Sequence, residues 1–223
     1  DEDLRADRVQ EITQLDVELA FPDQEHLFAL MEKMIATVWH ECRDITIPTP
    51  FERLSYAEAQ LRFGSDKPDL RFGLEIQEAT EVTRGSEFGV FSSASCVRYL
   101  TVPRAMSRGE LAKLEERAKE LGAKGLAYLV FDGSSSDSPR SPITKFLSNS
   151  EIENVRPRGP ATVLFGADSS SVVEKVLGQL RLEIGESLGL IDDDVFRFVW
   201  ITDFPLLDWD IEGDRWSAMH HPF

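Results

Sequence analysis

The chain has 223 residues, enough to bury a core as one large or two small domains, with 42% hydrophobic and 29% charged residues, an ordinary balance for a water-soluble globular protein. A net charge of −16 repels a nucleic-acid backbone, so any such contact has to run through local basic patches. No stretch reaches the length of a membrane span, and no charged-then-apolar leader is expected. Cys42 and Cys96 stand far apart without a CxxC partner, which excludes a disulfide scaffold or zinc knuckle and fits a reducing cytoplasm.

The chain opens on DEDLRADR (1–8), a mixed run of acids and arginines. Such a run is either a solvated turn or a binding loop. In the second case Arg5 and Arg8 meet phosphate by charge and fork geometry, and Glu2 accepts a hydrogen bond from a base edge. EITQLDVELAF (11–21) then alternates strictly and predicts a strand. Leu15, Val17, Leu19 and Phe21 fall on one face; Gln14, Asp16 and Glu18 fall on the other. That polar face is either open to water or lines a polar cavity, where a carboxylate beside an amide suits an ammonium group. Asp23 predicts an N-cap for a helix from about Gln24 to Cys42, with Leu27, Leu30, Met31, Met34, Val38 and Trp39 as its buried stripe.

Ser55 and Glu58 form a capping-box pattern for a second helix stopped by Gly64. GSDKPDLRFG (64–73) is turn-rich and reads as a linker or domain edge. From about Leu74 the pattern changes. FSSASCVRYLTV (91–102) predicts a strand, and Ser107 with Glu110 a capped helix ending near Leu121, with Gly122 beyond it. GLAYLVF (125–131) and ATVLFGAD (161–168) predict buried strands, and 169–189 a serine-capped amphipathic helix. This middle block has its own strand–helix–strand alternation and enough apolar residues for its own core. After Asp192, VFRFVWITDFP (195–205) predicts an aromatic strand, and 206–223 a hairpin turning near Glu212-Gly213-Asp214.

No P-loop and no G-x-S-x-G is present. His220 and His221 are neighbours on a predicted strand and point to opposite faces, so joint metal ligation is not expected. One of them facing a cavity as donor to an anion is the more economical reading. GADSSS (166–171) reads as a cap or an anion site. Asp203, Asp208 and Asp210 could bind a divalent ion; solvation at the hairpin is the simpler reading. Arg140, Lys145, Arg156 and Arg158 flank a Ser/Pro-rich loop and could form a basic edge toward RNA; a surface loop is the simpler reading.

Taken in order, DEDLRADR…EITQLDVELAF, YAEAQLRFGSDKPDLRFG, LFGAD and FVWITDFPLLDWD…RWSAMHHPF closely resemble the bacterial-type aspartyl-tRNA synthetases along essentially the whole chain. The resemblance implies an α+β fold: part of a class II antiparallel catalytic sheet with an inserted α+β GAD domain. It implies catalytic segments at 1–73 and 193–223, with the insertion over 74–192. The implied activity is ATP-dependent activation of L-aspartate to aspartyl-adenylate, followed by transfer to the 3′ end of tRNA.

On the matching positions, the resemblance implies Glu2 at the adenine side of ATP and Arg8 at the triphosphate or the tRNA end. Gln14 and Asp16 would face the aspartate pocket, Asp16 near the ammonium, and His220 would approach the substrate carboxylate. No side chain is assigned as a catalytic nucleophile, because positioning and charge neutralisation drive such chemistry. Val9 stands where relatives of this kind carry a glutamine. The arginine expected just before DED, motif 1, motif 3, the anticodon-binding barrel and the Mg2+ ligands would all lie outside this chain. It is therefore expected to be an internal fragment, inactive alone, of a cytoplasmic homodimer that uses ATP and charges tRNA(Asp), with tRNA(Asn) as a second candidate. The alternative is a non-catalytic insertion-domain module that contacts tRNA or a partner protein.

Overall fold

The computed structural model describes residues 13–133, 138–210 and 213–219. They fall into two compact units, Asp1–Phe51 and Glu52–Phe223.

In the first unit the dominant element is helix α1 (Gln24–Arg43). The predicted cap is in place: the Asp23 carboxylate accepts a hydrogen bond from the His26 N–H at 2.7 Å. The far end closes on Asp44, whose left-handed φ of 54° turns the chain out of the helix. Two expectations are corrected here. The predicted strand at 11–21 is not a strand over its described residues, and Leu15 and Phe21 are exposed at 72% and 104%. These residues pair with none of the described strands. The predicted stripe of α1 is likewise half open. Leu27, Leu30 and Val38 are exposed, while the buried residues are Phe28 and Glu32.

The second unit begins with β1 (Glu52–Ser55) and α2 (Tyr56–Phe63). Ser55 closes the capping box at α2: its hydroxyl accepts from the Glu58 N–H, and the Glu58 carboxylate accepts from the Ser55 N–H at 2.9 Å. Gly64 ends the helix at φ 65°. Then come β2 (Gln77–Glu78), α3 (Thr80–Thr83), α4 (Gly89–Ser93), β3 (Cys96–Val102) and α5 (Arg108–Glu120). After them run β4 (Ala127–Phe131), a 3-10 turn at Thr144–Phe146, α6 (Asn149–Asn154), β5 (Ala161–Asp168) and α7 (Ser170–Ser187).

The predicted strand 91–102 splits. Phe91–Ser93 belong to α4, and only Cys96–Val102 pair as strand. The aromatic side chain explains the split. Phe91, buried to 1% exposure, anchors α4 against Phe88 and Phe165 with centroids at 4.9 and 5.1 Å.

Strands β2, β3, β5 and β4 form an antiparallel sheet in that order. β5 is an interior strand covered on both faces, which accounts for the mostly apolar, non-alternating run of ATVLFGAD. One face packs under α5 and α7 through Leu100, Val102, Leu111, Leu164, Val173, Val176, Leu177, Leu180 and Ile184. The other face packs under α3, α4 and α6 through Val97, Leu129, Phe131, Val163, Phe165 and Ile152. The block is thus three layers with two cores. Thr162, fully buried between them, satisfies its hydroxyl by donating to the Arg104 carbonyl and accepting from the Met106 N–H, both at 2.9 Å.

Helix α5 carries the predicted box of Ser107 and Glu110. The Arg104 guanidinium, then the Ser107 N–H and hydroxyl, hold the Glu110 carboxyl down at about 2, against the usual 4.5. A carboxyl depressed on folding stabilises above its unfolded pKa, and that contribution fades as pH falls from about 4.5 toward 2. Glu110→Gln is therefore expected to lower the melting temperature at pH 7, with the difference shrinking as pH falls below about 4.5 and nearly gone only at about pH 2 and below.

The end of the chain returns to the start of the unit. β6 (Val199–Thr202) pairs in parallel with β1, from Glu52↔Val199 to Ser55↔Thr202. The predicted aromatic strand at 195–205 is shorter than expected and is confined to these four residues. β7 (Leu207–Asp210) and β8 (Arg215–Ala218) make the predicted hairpin, with Trp209 edge-on to Trp216 at 5.4 Å.

Candidate functional site

Five residues carry the sequence-based site. Glu2, Arg8 and His220 lie outside the described residues. Gln14 and Asp16 are described and both are exposed, on an extended segment that pairs with none of the described strands. An exposed carboxylate beside an exposed amide can take an ammonium group.

In the second unit, the TDFP segment is locally built. The Thr202 hydroxyl donates to the Asp203 carboxylate at 2.9 Å, and Asp203 itself adopts a left-handed φ of 58°. Phe204 packs on Tyr56 with centroids 5.2 Å apart. Burial and the nearby Asp66, Glu174 and Asp208 push the Tyr56 hydroxyl up, so it stays a neutral phenol at physiological pH. Asp208 is engaged as acceptor from the Trp209 N–H at 2.8 Å. Among the described residues no group of three or more His, Cys, Asp or Glu side chains could hold a metal ion.

At GADSSS, the Asp168 carboxylate accepts from the Ser169 N–H at 2.8 Å and pairs with Lys124 at 3.0 Å. Those two partners hold its carboxyl below the usual range. The Ser169 hydroxyl makes no side-chain cap bond at α7. Beside this corner an opening of about 570 Å³ enters the core between α4 and the ends of β4 and β5; Phe88, Ala94, Ala127, Ile143, Phe165 and Ala167 are among its lining residues. Its walls are apolar and its rim holds Ser93, Ser95, Lys124 and Asp168.

The suggested basic edge is partly spent on structure. Arg140 donates to the Met106 carbonyl at 3.1 Å, and its backbone pairs with Val130. Arg156 binds Glu153 at 2.7 Å and stacks over Phe131. Lys145 sits over the Phe146 ring, and Arg158 is exposed.

The cluster that sequence reading missed centres on Arg181, 1% exposed on α7. An arginine inside an apolar helix stripe was the only signal for it. Its guanidinium donates to the carbonyls of Asp69, Phe72, Gly73 and Leu74 at 2.8–3.1 Å. It also lies 4.1 Å from the Phe72 centroid and 4.9 Å from that of Phe63. Burial pulls its pKa down to about 10 against the charges of Asp69 and Glu75, so it remains a cation at neutral pH.

None of the described helices is long and apolar enough to cross a membrane. The model of the tRNA synthetases class II (D, K and N) matches residues 1–223. The chain is similar to a protein of Syntrophomonas wolfei called Aspartate--tRNA(Asp/Asn) ligase, 46% identical over 100% of this chain and 39% of that protein. Proteins of the same name from Geotalea uraniireducens and Hydrogenobaculum sp. are 45% and 41% identical over 100% of this chain and 39% and 38% of their own lengths. The chain thus spans about two fifths of the curated relatives it matches. With the family match running from its first residue to its last, the chain belongs to the class II tRNA synthetases of the D, K and N group.

Proposed function

We propose that this chain is the part of an aspartate–tRNA ligase that supplies the ATP-facing loop, part of the aspartate pocket and an inserted α+β domain. The observation that carries this reading is 41–46% identity along the whole chain to relatives named Aspartate--tRNA(Asp/Asn) ligase. The reaction joins the α-carboxylate of L-aspartate to the α-phosphate of ATP, releasing pyrophosphate, and then passes the aspartyl group to the 3′ end of tRNA, releasing AMP. The residues of this chain bind and orient. Glu2 would accept from the adenine edge, and Arg8 would neutralise triphosphate oxygens or the tRNA end. Gln14 and Asp16 would hold the aspartate ammonium, and His220 would donate to its carboxylate. Rate enhancement then comes from alignment and charge neutralisation.

The domain arrangement proposed with this function is catalytic at 1–73 and 193–223, with the insertion at 74–192. Its support is that the four antiparallel strands and both cores of the block fall between Ile76 and Ile184. Mg2+ would be held by ligands outside this chain. The whole enzyme is proposed to be a cytoplasmic homodimer; the names of the relatives support tRNA(Asn) beside tRNA(Asp) as acceptor. This chain by itself is proposed to be inactive.

Charging assays with labelled aspartate on transcripts of both tRNAs test the reading. The whole enzyme is expected to charge tRNA(Asp), and this chain alone to charge neither. Failure of the whole enzyme on both transcripts would refute the assignment.

A further inference from the structure

Helix α7 has two working faces. Val173, Val176, Leu177, Leu180 and Ile184 face its own sheet. Gly178, Arg181 and Gly185, spaced by three and four, form a second stripe on one side of the helix. That stripe receives the segments through which the chain enters and leaves the four-stranded block.

The fit is close at each of the three positions. A Cβ on Gly178 would lie 2.6 Å from the Gly64 carbonyl and 2.9 Å from that of Phe63, so the end of α2 rests directly on the α7 backbone. A Cβ on Gly185 would lie 2.6 Å from the Phe72 ring. Between them, Arg181 ties the carbonyls of Asp69, Phe72, Gly73 and Leu74 to the helix. The exit segment is anchored as well: the Leu190 N–H donates to the Gly185 carbonyl at 2.9 Å. Arg71 joins entry to exit, binding Asp69 at 2.8 Å and Asp193 at 3.3 Å.

We infer that this Gly178–Arg181–Gly185 stripe is a locked neck, so that the β2–β5 block and the β1–β6 pair with α2 move as one rigid body. A hinged insertion is the ordinary expectation for a block with its own core. Here a swing would strip a buried cation of four carbonyl partners and two aromatic faces, leaving it neither solvated nor paired. Whatever docks on the block is thereby held at a fixed distance from β1, β6 and Tyr56.

Hydrogen exchange on the whole protein that carries this chain tests the inference without any activity measurement. In the wild type, the 69–76 and 188–195 segments are expected to be protected although they read as loops. Arg181→Met is expected to speed exchange in both segments together by about tenfold or more, with 161–168 unchanged. Phe72→Ala, which leaves α7 intact, carries the test if Arg181→Met unfolds the sheet, and it is expected to loosen the same two segments. Free-loop exchange at 69–76 in the wild type would overturn the lock. So would variants that change neither segment, or that loosen 69–76 while 188–195 stays protected.

Discussion

Asp16→Ala in the whole enzyme is expected to lower aspartate-dependent ATP–pyrophosphate exchange by roughly a hundred- to a thousandfold while leaving the melting temperature almost unchanged. The size follows from the proposed contact. Removing one partner of a desolvated, hydrogen-bonded charge pair costs about 3–5 kcal/mol, much of it the penalty on the charge left behind. Each factor of ten in rate corresponds to about 1.4 kcal/mol. The small stability effect follows from the exposed position of Asp16 on a segment that pairs with none of the described strands. Surface substitutions of that kind stay within about 0.5 kcal/mol. Asp16→Asn separates charge from shape: it keeps the volume and one acceptor but loses the ion pair, so it should fall with the alanine variant. Wild-type exchange in either variant would remove Asp16 from the ammonium site.

Leu177→Ala is expected to be the most damaging single truncation for the block. Leu177 is fully buried, on the face of α7 that covers the sheet, among Leu100, Leu164, Val173 and Leu180. The backbone there cannot easily collapse into the gap, because the opposite face of α7 is pinned at Gly178 and Arg181. A leucine-to-alanine cavity in a site that relaxes poorly costs about 3–5 kcal/mol. With a urea dependence of about 2 kcal/mol per molar, the unfolding midpoint should drop by about 1.5–2.5 M. Leu207→Ala, at a residue 47% exposed in β7, is the control and should move the midpoint by less than about 0.3 M. Equal midpoints for the two variants would show that α7 is not the keystone of the block.

The elements that could be read in the sequence are those whose cause is local. Ser55–Glu58 and Ser107–Glu110 close their boxes within four residues, so the pattern and the hydrogen bonds carry the same information. ATVLFGAD reads as strand because a central strand is covered on both faces and has no reason to alternate. Where the cause is distant, the pattern misleads. EITQLDVELAF alternates well, yet its described residues pair with none of the described strands. Phe91 looks like one more strand residue, but two other phenylalanines draw it into α4.

The same distinction governs the candidate site. Gln14 and Asp16 could be chosen because residues two apart in an extended segment share a side, and because TQLD follows DEDLRADR. What they face is decided by residues the pattern does not contain. The neck was invisible for a related reason. Gly178 and Gly185 look like flaws in a helix until Gly64 and Phe72, over a hundred residues earlier, arrive against them. Arg181 looks misplaced in an apolar stripe until four carbonyls from a turn-rich segment surround it.

The family to which the chain belongs covers D, K and N enzymes, so which amino acid is activated is the point to decide. ATP–pyrophosphate exchange by the whole enzyme, run with aspartate, asparagine and lysine in parallel, decides it. Exchange is expected to be rapid with L-aspartate and at background with the other two, in keeping with the 41–46% identity to relatives named Aspartate--tRNA(Asp/Asn) ligase. Exchange driven by lysine or asparagine, with aspartate at background, would contradict it.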